Sequence, residues 1–335
     1  MLTTNPGFRM HKLCLFIALM LPASLQAKSF KVAALVPEGT SWATNLKDMV
    51  REIKTKTDGR VKIKLYLGGV AGDEPDVQRK IRAGQFHGGV FTGKALGDIY
   101  GDIRMMEVPF NFVNDRKKAV QVLGAMRPHF DEGFRKNGFE SLAYYEIGKA
   151  YIVSKKKSTS LENLKGSKIW AWEGDKLVEA TLKNLRLVSV PLALPDVLTS
   201  LSTGMIDSAY NSPLGVIALQ WQSKIAYLVD NMPINYAFGA FLLSKRAWSK
   251  ISKKDQATIK QVMQGHEKVT NDTTIAENKK ALETMKSMGI EFIKYPSSDM
   301  QKGKEVRRKV IGELTGNLFS AKGVELFRKQ MSSSH

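Results

Sequence analysis

Leu161-Glu-Asn-Leu-Lys-Gly-Ser-Lys-Ile-Trp170 opens the part of this chain that decides its fold. It continues through Val190-Pro191-Leu192 and Leu198-Thr-Ser-Leu-Ser-Thr-Gly204-Met-Ile-Asp207 to Tyr210-Asn211-Ser212-Pro213. Strand and helix patterns alternate from Lys168 through Asp207, which predicts a mostly parallel sheet with helices on its faces. Trp170 and Trp172, two places apart, share one face of their strand. Ligands of open α/β sheets sit beyond the carboxyl ends of the strands, and Trp170, Trp172, Tyr210 and Asn211 fall there.

The same alternation precedes this stretch. Phe30–Val36 is a short apolar strand ended by Pro37-Glu38-Gly39. Thr40-Ser41 caps a helix from about Trp42 to Lys56, with Leu46, Met49, Val50 and Ile53 on one face. Asp58-Gly59 turns the chain into Val61–Leu67, which alternates at period two. Asp73-Glu74-Pro75 opens another helix, where acidic residues suit the N-terminal dipole. Gly88–Thr92 reads as a third, buried strand. Near the end, Ser252 and Asp255 box the start of a long helix containing Ile259, Val262, Met263 and Val269. No low-complexity block or flexible linker separates the halves, so the sequence predicts two α/β lobes joined by several crossings.

The chain has 335 residues, 43% of them hydrophobic, enough for two cored lobes. Arg9 and Lys12 precede the uncharged block Leu13–Leu21 and then Pro22-Ala-Ser-Leu-Gln-Ala27, the pattern of an export signal cleaved after Ala27. Met10 serves equally as a start. The block is shorter than the ~20 residues of a spanning helix, and no later stretch approaches that length. The single cysteine, Cys14, lies inside the signal, so the mature chain has no disulfide and no thiolate chemistry. Without Arg9 and Lys12 the chain keeps 49 Lys+Arg against 32 Asp+Glu, a net +17. That charge is spread along solvated faces and lacks the aromatic interleaving of a base-stacking surface, which speaks against nucleic acid.

Catalytic and metal motifs are missing. Gly88-Gly-Val-Phe-Thr-Gly93-Lys94-Ala95 approaches a phosphate loop, but Ala95 replaces the hydroxyl that would hold magnesium. His87, His129 and His266 have no metal-ligand spacing. Asp73, Glu74 and Asp76 read as a capped helix start rather than a calcium loop. The sequence therefore predicts no enzyme, no metal and no cofactor.

Further fragments are Thr40-Ser-Trp42, Asp58-Gly-Arg-Val61, Val108-Pro-Phe-Asn-Phe112, Glu146-Ile-Gly148 and Phe241-Leu-Leu-Ser244 followed by Trp248. In order and spacing, these and the opening stretch resemble the DctP-like solute receptors of tripartite ATP-independent periplasmic (TRAP) transporters. The likeness covers nearly the whole mature chain. It implies a two-lobed clamp of periplasmic-binding type with a long helix across both lobes. Residues 28–147 plus about 237–277 would form lobe I, and 148–236 plus about 278–335 lobe II. It also implies a monomeric periplasmic receptor that closes on a small organic ligand and docks on small and large membrane subunits driven by an ion gradient. A periplasmic sensor serving a signalling partner would use the same clamp.

The departures from the family concern its ligand. Its carboxylate-binding arginine aligns with Trp170, and a second common arginine with Ala150, beside Lys149. Its Asp-Gly-x-Glu-Asn run appears as Asp207-Ser-Ala-Tyr-Asn211. An indole offers ~150–250 Å² of burial, worth at most ~4–6 kcal/mol at ~25 cal/mol per Å². The expected ligand is therefore more apolar or aromatic than a C4-dicarboxylate, with any acidic group reached by Lys149 or Lys176. The candidate ligand-binding residues are Trp170, Asn211, Trp172, Tyr210, Tyr236, Phe238, Thr92, Glu38 and Lys149. Each aromatic taken alone reads as core before it reads as ligand contact. Trp170 is either a stacking wall or a plug in the arginine's place.

Overall fold

The structure is a computed structural model that describes residues 1–3, 28–112 and 115–333. The export signal expected over residues 1–27 lies, past Thr3, outside the described residues. The chain runs β1 (Lys28–Ala34), α1 (Ser41–Lys56), β2 (Val61–Tyr66), α2 (Glu74–Arg82), β3 (Gly88–Thr92) and α3 (Gly93–Ile99). A 3₁₀ segment at Gly101–Glu107 leads to α4 (Arg116–Lys136) and the long β4 (Phe139–Ser154). There follow α5 (Leu161–Leu164), β5 (Lys168–Trp172), α6 (Lys176–Asn184), β6 (Val188–Leu192), α7 (Val197–Thr203), β7 (Ser208–Asn211), α8 (Pro213–Ala218) and β8 (Tyr227–Val229). The last elements are β9 (Asn235–Ser244), α9 (Lys245–Trp248), α10 (Lys253–Ser287), β10 (Glu291–Ile293), α11 (Ser297–Leu314) and α12 (Ala321–Ser332).

The strands connect in the order β2-β1-β3-β9-β4-β7-β5-β6, with β8 on β4 and β10 on β8. β1, β2 and β3 are parallel, and so are β5, β6 and β7. β9 and β4 run antiparallel to their neighbours and join the two half-sheets. At about 3.3 Å per residue, the sixteen residues of β4 reach about 50 Å, far enough to serve both halves. Its pairing with β9 shifts register between Ser141 and Ala143 and again between Glu146 and Gly148. Gly148 stands at φ +102°, a conformation that a side chain rarely adopts.

Local chemistry explains the helix starts. Thr40 accepts a hydrogen bond from the Ala43 N–H at 3.1 Å, and Asp73 and Asp76 form a capping box around α2. Leu46, Met49 and Ile53 of α1 are buried against β1 and α10, each contributing roughly 2 kcal/mol of burial. Ala43 completes that stripe, whereas Val50 is only half-buried at its edge.

α10 has 35 residues, about 52 Å at 1.5 Å per residue. Ile259, Val262 and Met263 enter the core of the first half, and Met285 enters that of the second. Val269, expected on the same apolar face, is instead exposed at the crossing. In that region α10 turns polar groups onto β4, which has β9 on one side and meets β7 only at residues 151–154. Glu267 Oε2 accepts from Tyr144 N at 3.1 Å, Asn271 Oδ1 from Glu146 N at 2.9 Å, and Asn278 Nδ2 donates to Ile147 O at 2.9 Å. Among the described residues no helix is long and apolar enough to cross a membrane.

Candidate functional site

A cavity of about 180 Å³ lies between the two half-sheets at the carboxyl ends of β1, β3, β5 and β7. Its walls include Trp42, Phe91, Trp170, Trp172, Tyr210 and Leu214. Strand alternation chooses the lining. β5 brings Trp170 and Trp172 to one face, and their rings meet at 5.5 Å. Trp170 also stacks on Tyr210 at 5.1 Å and 25° and meets Trp221 edge-on at 5.5 Å. Its Nε1 donates to Leu192 O at 3.1 Å. The indole is only 2% exposed, so it fills the wall and offers the cavity a sliver of its edge.

Trp172, Tyr210, Asn211 and Thr92 also line the cavity. The Trp172 Nε1 donates across the cleft to Asp73 Oδ2 at 3.0 Å. Asn211 Oδ1 accepts from the Ser212 N–H at 2.8 Å, which orients its amide.

Four candidates do not line it. In β9, Asn235 and Ala237 face the cavity, so Tyr236 and Phe238 face the opposite way into the core, each 1% exposed. The Tyr236 hydroxyl donates to Glu146 Oε2 at 2.6 Å instead. Ala150 lines the cavity, and its β4 neighbour Lys149 therefore points to the other face, where burial lowers its pKa. Glu38 sits on the surface and pairs with Lys47. Lys176, the other cation expected to reach an acidic ligand, donates to Asn317 Oδ1 at 3.0 Å outside the cavity.

The charged groups that do line the cavity escaped the sequence reading. Arg104, Glu107, Asp175 and Glu74 are all buried there. Arg104 Nη2 donates to both oxygens of Asp175, at 2.8 and 2.9 Å, and Nη1 donates to Glu107. Burial alone would lower the Arg104 pKa, but Asp175 and Glu107 outweigh it and raise it. Burial also holds the Glu107 carboxyl above its ordinary range, against the pull of Arg104 and of the Phe238 N–H. Glu74 is pushed up to about 8 by burial, although the Thr92 N–H and hydroxyl meet its two oxygens at 2.6 and 2.7 Å. Glu74 was legible only as a helix start. Arg104 carried no motif, because its partner Asp175 is 71 residues away. Among the described residues, Asn235 lines the cavity with its Oδ1 unpartnered, and Trp42 with its Nε1 unpartnered.

The family model described as bacterial extracellular solute-binding protein, family 7 (DctP), matches residues 32–316. A solute-binding protein of Chromohalobacter salexigens is 22% identical over 255 residues, 74% of this chain and 73% of that protein. An extracytoplasmic solute receptor of Bordetella pertussis, solved binding pyroglutamic acid, superposes with a TM-score of 0.83 at 20% identity, covering 91% of this chain and all of that one. A TRAP periplasmic solute binding protein of Desulfovibrio salexigens, solved with orotic acid, gives 0.83 at 18% identity over 90% and 97% of the two chains. The fold is therefore that of the two-lobed periplasmic solute receptors.

Proposed function

The chain belongs to family 7 of the bacterial extracellular solute-binding proteins, and from that membership we propose that it is the periplasmic receptor of a TRAP-type secondary transporter. It captures a small organic ligand more apolar or aromatic than a C4-dicarboxylate and delivers it to small and large membrane subunits. The observation that carries this reading is the cavity between the half-sheets, walled by Trp42, Phe91, Trp170, Trp172 and Tyr210. Sites of this kind, apolar with a few placed polar groups, suit small-molecule capture. Two similar receptors of known structure hold small organic acids, pyroglutamic and orotic, which supports a ligand of that size.

On this reading residues 1–27 direct export and are removed after Ala27. Residues 28–147 with about 237–277 move as one lobe against 148–236 with about 278–335, hinging at β4 and β9. The test is native mass spectrometry of the exported protein, followed by a thermal-shift screen of small organic compounds. A bound or stabilising small molecule, unchanged after incubation, is the expected result. A protein that binds none, or converts what it binds, overturns the reading.

A further inference from the structure

Resting on that receptor reading, the geometry points to a ligand that carries no carboxylate and enters with an N–H-bearing polar end, an amine or a carboxamide. The cavity wall holds two cations, Arg104 and Lys94, and three carboxyl groups, Glu74, Glu107 and Asp175. Among the described residues both cations are already engaged. Arg104 forks onto Asp175 and reaches Glu107, with all three side chains 4–5% exposed. The Lys94 ammonium lies 2.6 Å from Asp98. A ligand carboxylate would find no unpaired positive charge and would face Glu107 and Asp175, a like-charge contact that disfavours binding. Asp175 follows β5 and Arg104 follows α3, so the protein sets its own carboxylate across the cleft on the guanidinium.

An independent observation concerns what the cavity lacks. Among the described residues two groups on the cavity wall lack hydrogen-bond partners, the Nε1 donor of Trp42 and the Oδ1 acceptor of Asn235, a residue 9% exposed. A buried acceptor of this kind is costly unless a donor meets it. A ligand N–H supplies that donor, the oxygen of a carboxamide would supply the acceptor that Trp42 Nε1 lacks, and the ring walls accommodate either a neutral amide or an ammonium group.

The experiment strips the exported protein by unfolding and refolding, then titrates three probes of one skeleton: phenylacetate, phenylacetamide and phenethylamine. The amide or the amine is expected to bind at least tenfold more tightly than the carboxylate. The Asp175→Asn variant, which keeps an N-cap for α6 while freeing part of Arg104, is expected to shift preference toward phenylacetate by a similar factor. Equal or tighter binding of phenylacetate by the unaltered protein overturns the inference and leaves the receptor reading standing. So does a carboxylic acid recovered from the native protein. An unaltered protein that binds none of the probes and carries no native ligand overturns both. A variant that keeps the parent's order of preference overturns the role given to Arg104, and the charge assignment with it.

Discussion

At the scale of single residues, the site turns on groups whose chemistry is set by burial. Glu74 accepts two hydrogen bonds from Thr92, yet loss of water still pushes its pKa from an ordinary 4.5 to about 8. Its native state holds a proton that the unfolded chain has released. The stability it lends is therefore whole below pH 4.5 and is lost as pH rises toward 8. Glu74→Gln keeps an acceptor for the Thr92 N–H and removes the titration. Thermal unfolding at pH 5 and pH 9 should show the variant gaining stability over the parent at pH 9 and little at pH 5. A constant difference between the two would refute this account. Trp170 illustrates the same dependence. Its neighbours in sequence are legible, but the stacking on Tyr210 and the edge contact with Trp221 that set it in the wall join segments up to 51 residues apart, and no local pattern reports them.

At the scale of elements, caps and register breaks do most of the positioning. α12 is held by Asp102 of the 3₁₀ segment, whose carboxylate accepts from Ser320 N and Ser320 Oγ, both at 2.6 Å. The Tyr100 hydroxyl donates to it at 2.9 Å, and His129 Nε2 lies 2.7 Å away. Asp102→Ala leaves these part-buried groups without their acceptor and should cost about 3 kcal/mol. Ser320→Ala, which removes the cap on the Gly323 N–H and one of the bonds to Asp102, should cost about 1 kcal/mol. Urea unfolding of the two variants checks the order, and equal losses would contradict it. In β4, Gly148→Ala puts a side chain into φ +102°, with its Cβ 2.9 Å from Asn278 Nδ2. It should destabilise by about 1–3 kcal/mol. The period-two and period-3.6 patterns announced β1, β2, α1 and α10. They could not announce the polar seam along β4, because Glu267, Asn271 and Asn278 meet it from a helix more than 120 residues away.

At the scale of the whole molecule, side-chain contacts that cross the cleft at the cavity include Arg104 with Asp175 and Asp73 with Trp172. The first is buried, and loss of one partner from such a pair typically costs about 3–5 kcal/mol. Glu107 remains to satisfy Arg104, so Asp175→Asn should fall at or below the lower end of that range. It should also loosen the contact across the cleft, raising the radius of gyration of the unliganded protein in small-angle X-ray scattering. An unchanged scattering curve would mean that the pair does not hold the lobes together. The sequence by itself determined the α/β class, the helix caps, the run of strands and the family, because hydrophobic period, turn residues and motif order are local properties of the chain. It also brought Trp170, Trp172, Tyr210, Asn211 and Thr92 to the right strand ends. Only the tertiary structure decided which face of β9 and β4 meets the cavity, turning Tyr236, Phe238 and Lys149 away and Asn235 and Ala150 toward it. It alone assembled Arg104, Glu107 and Asp175, because a buried charge network is built from segments that meet only when the two half-sheets face each other.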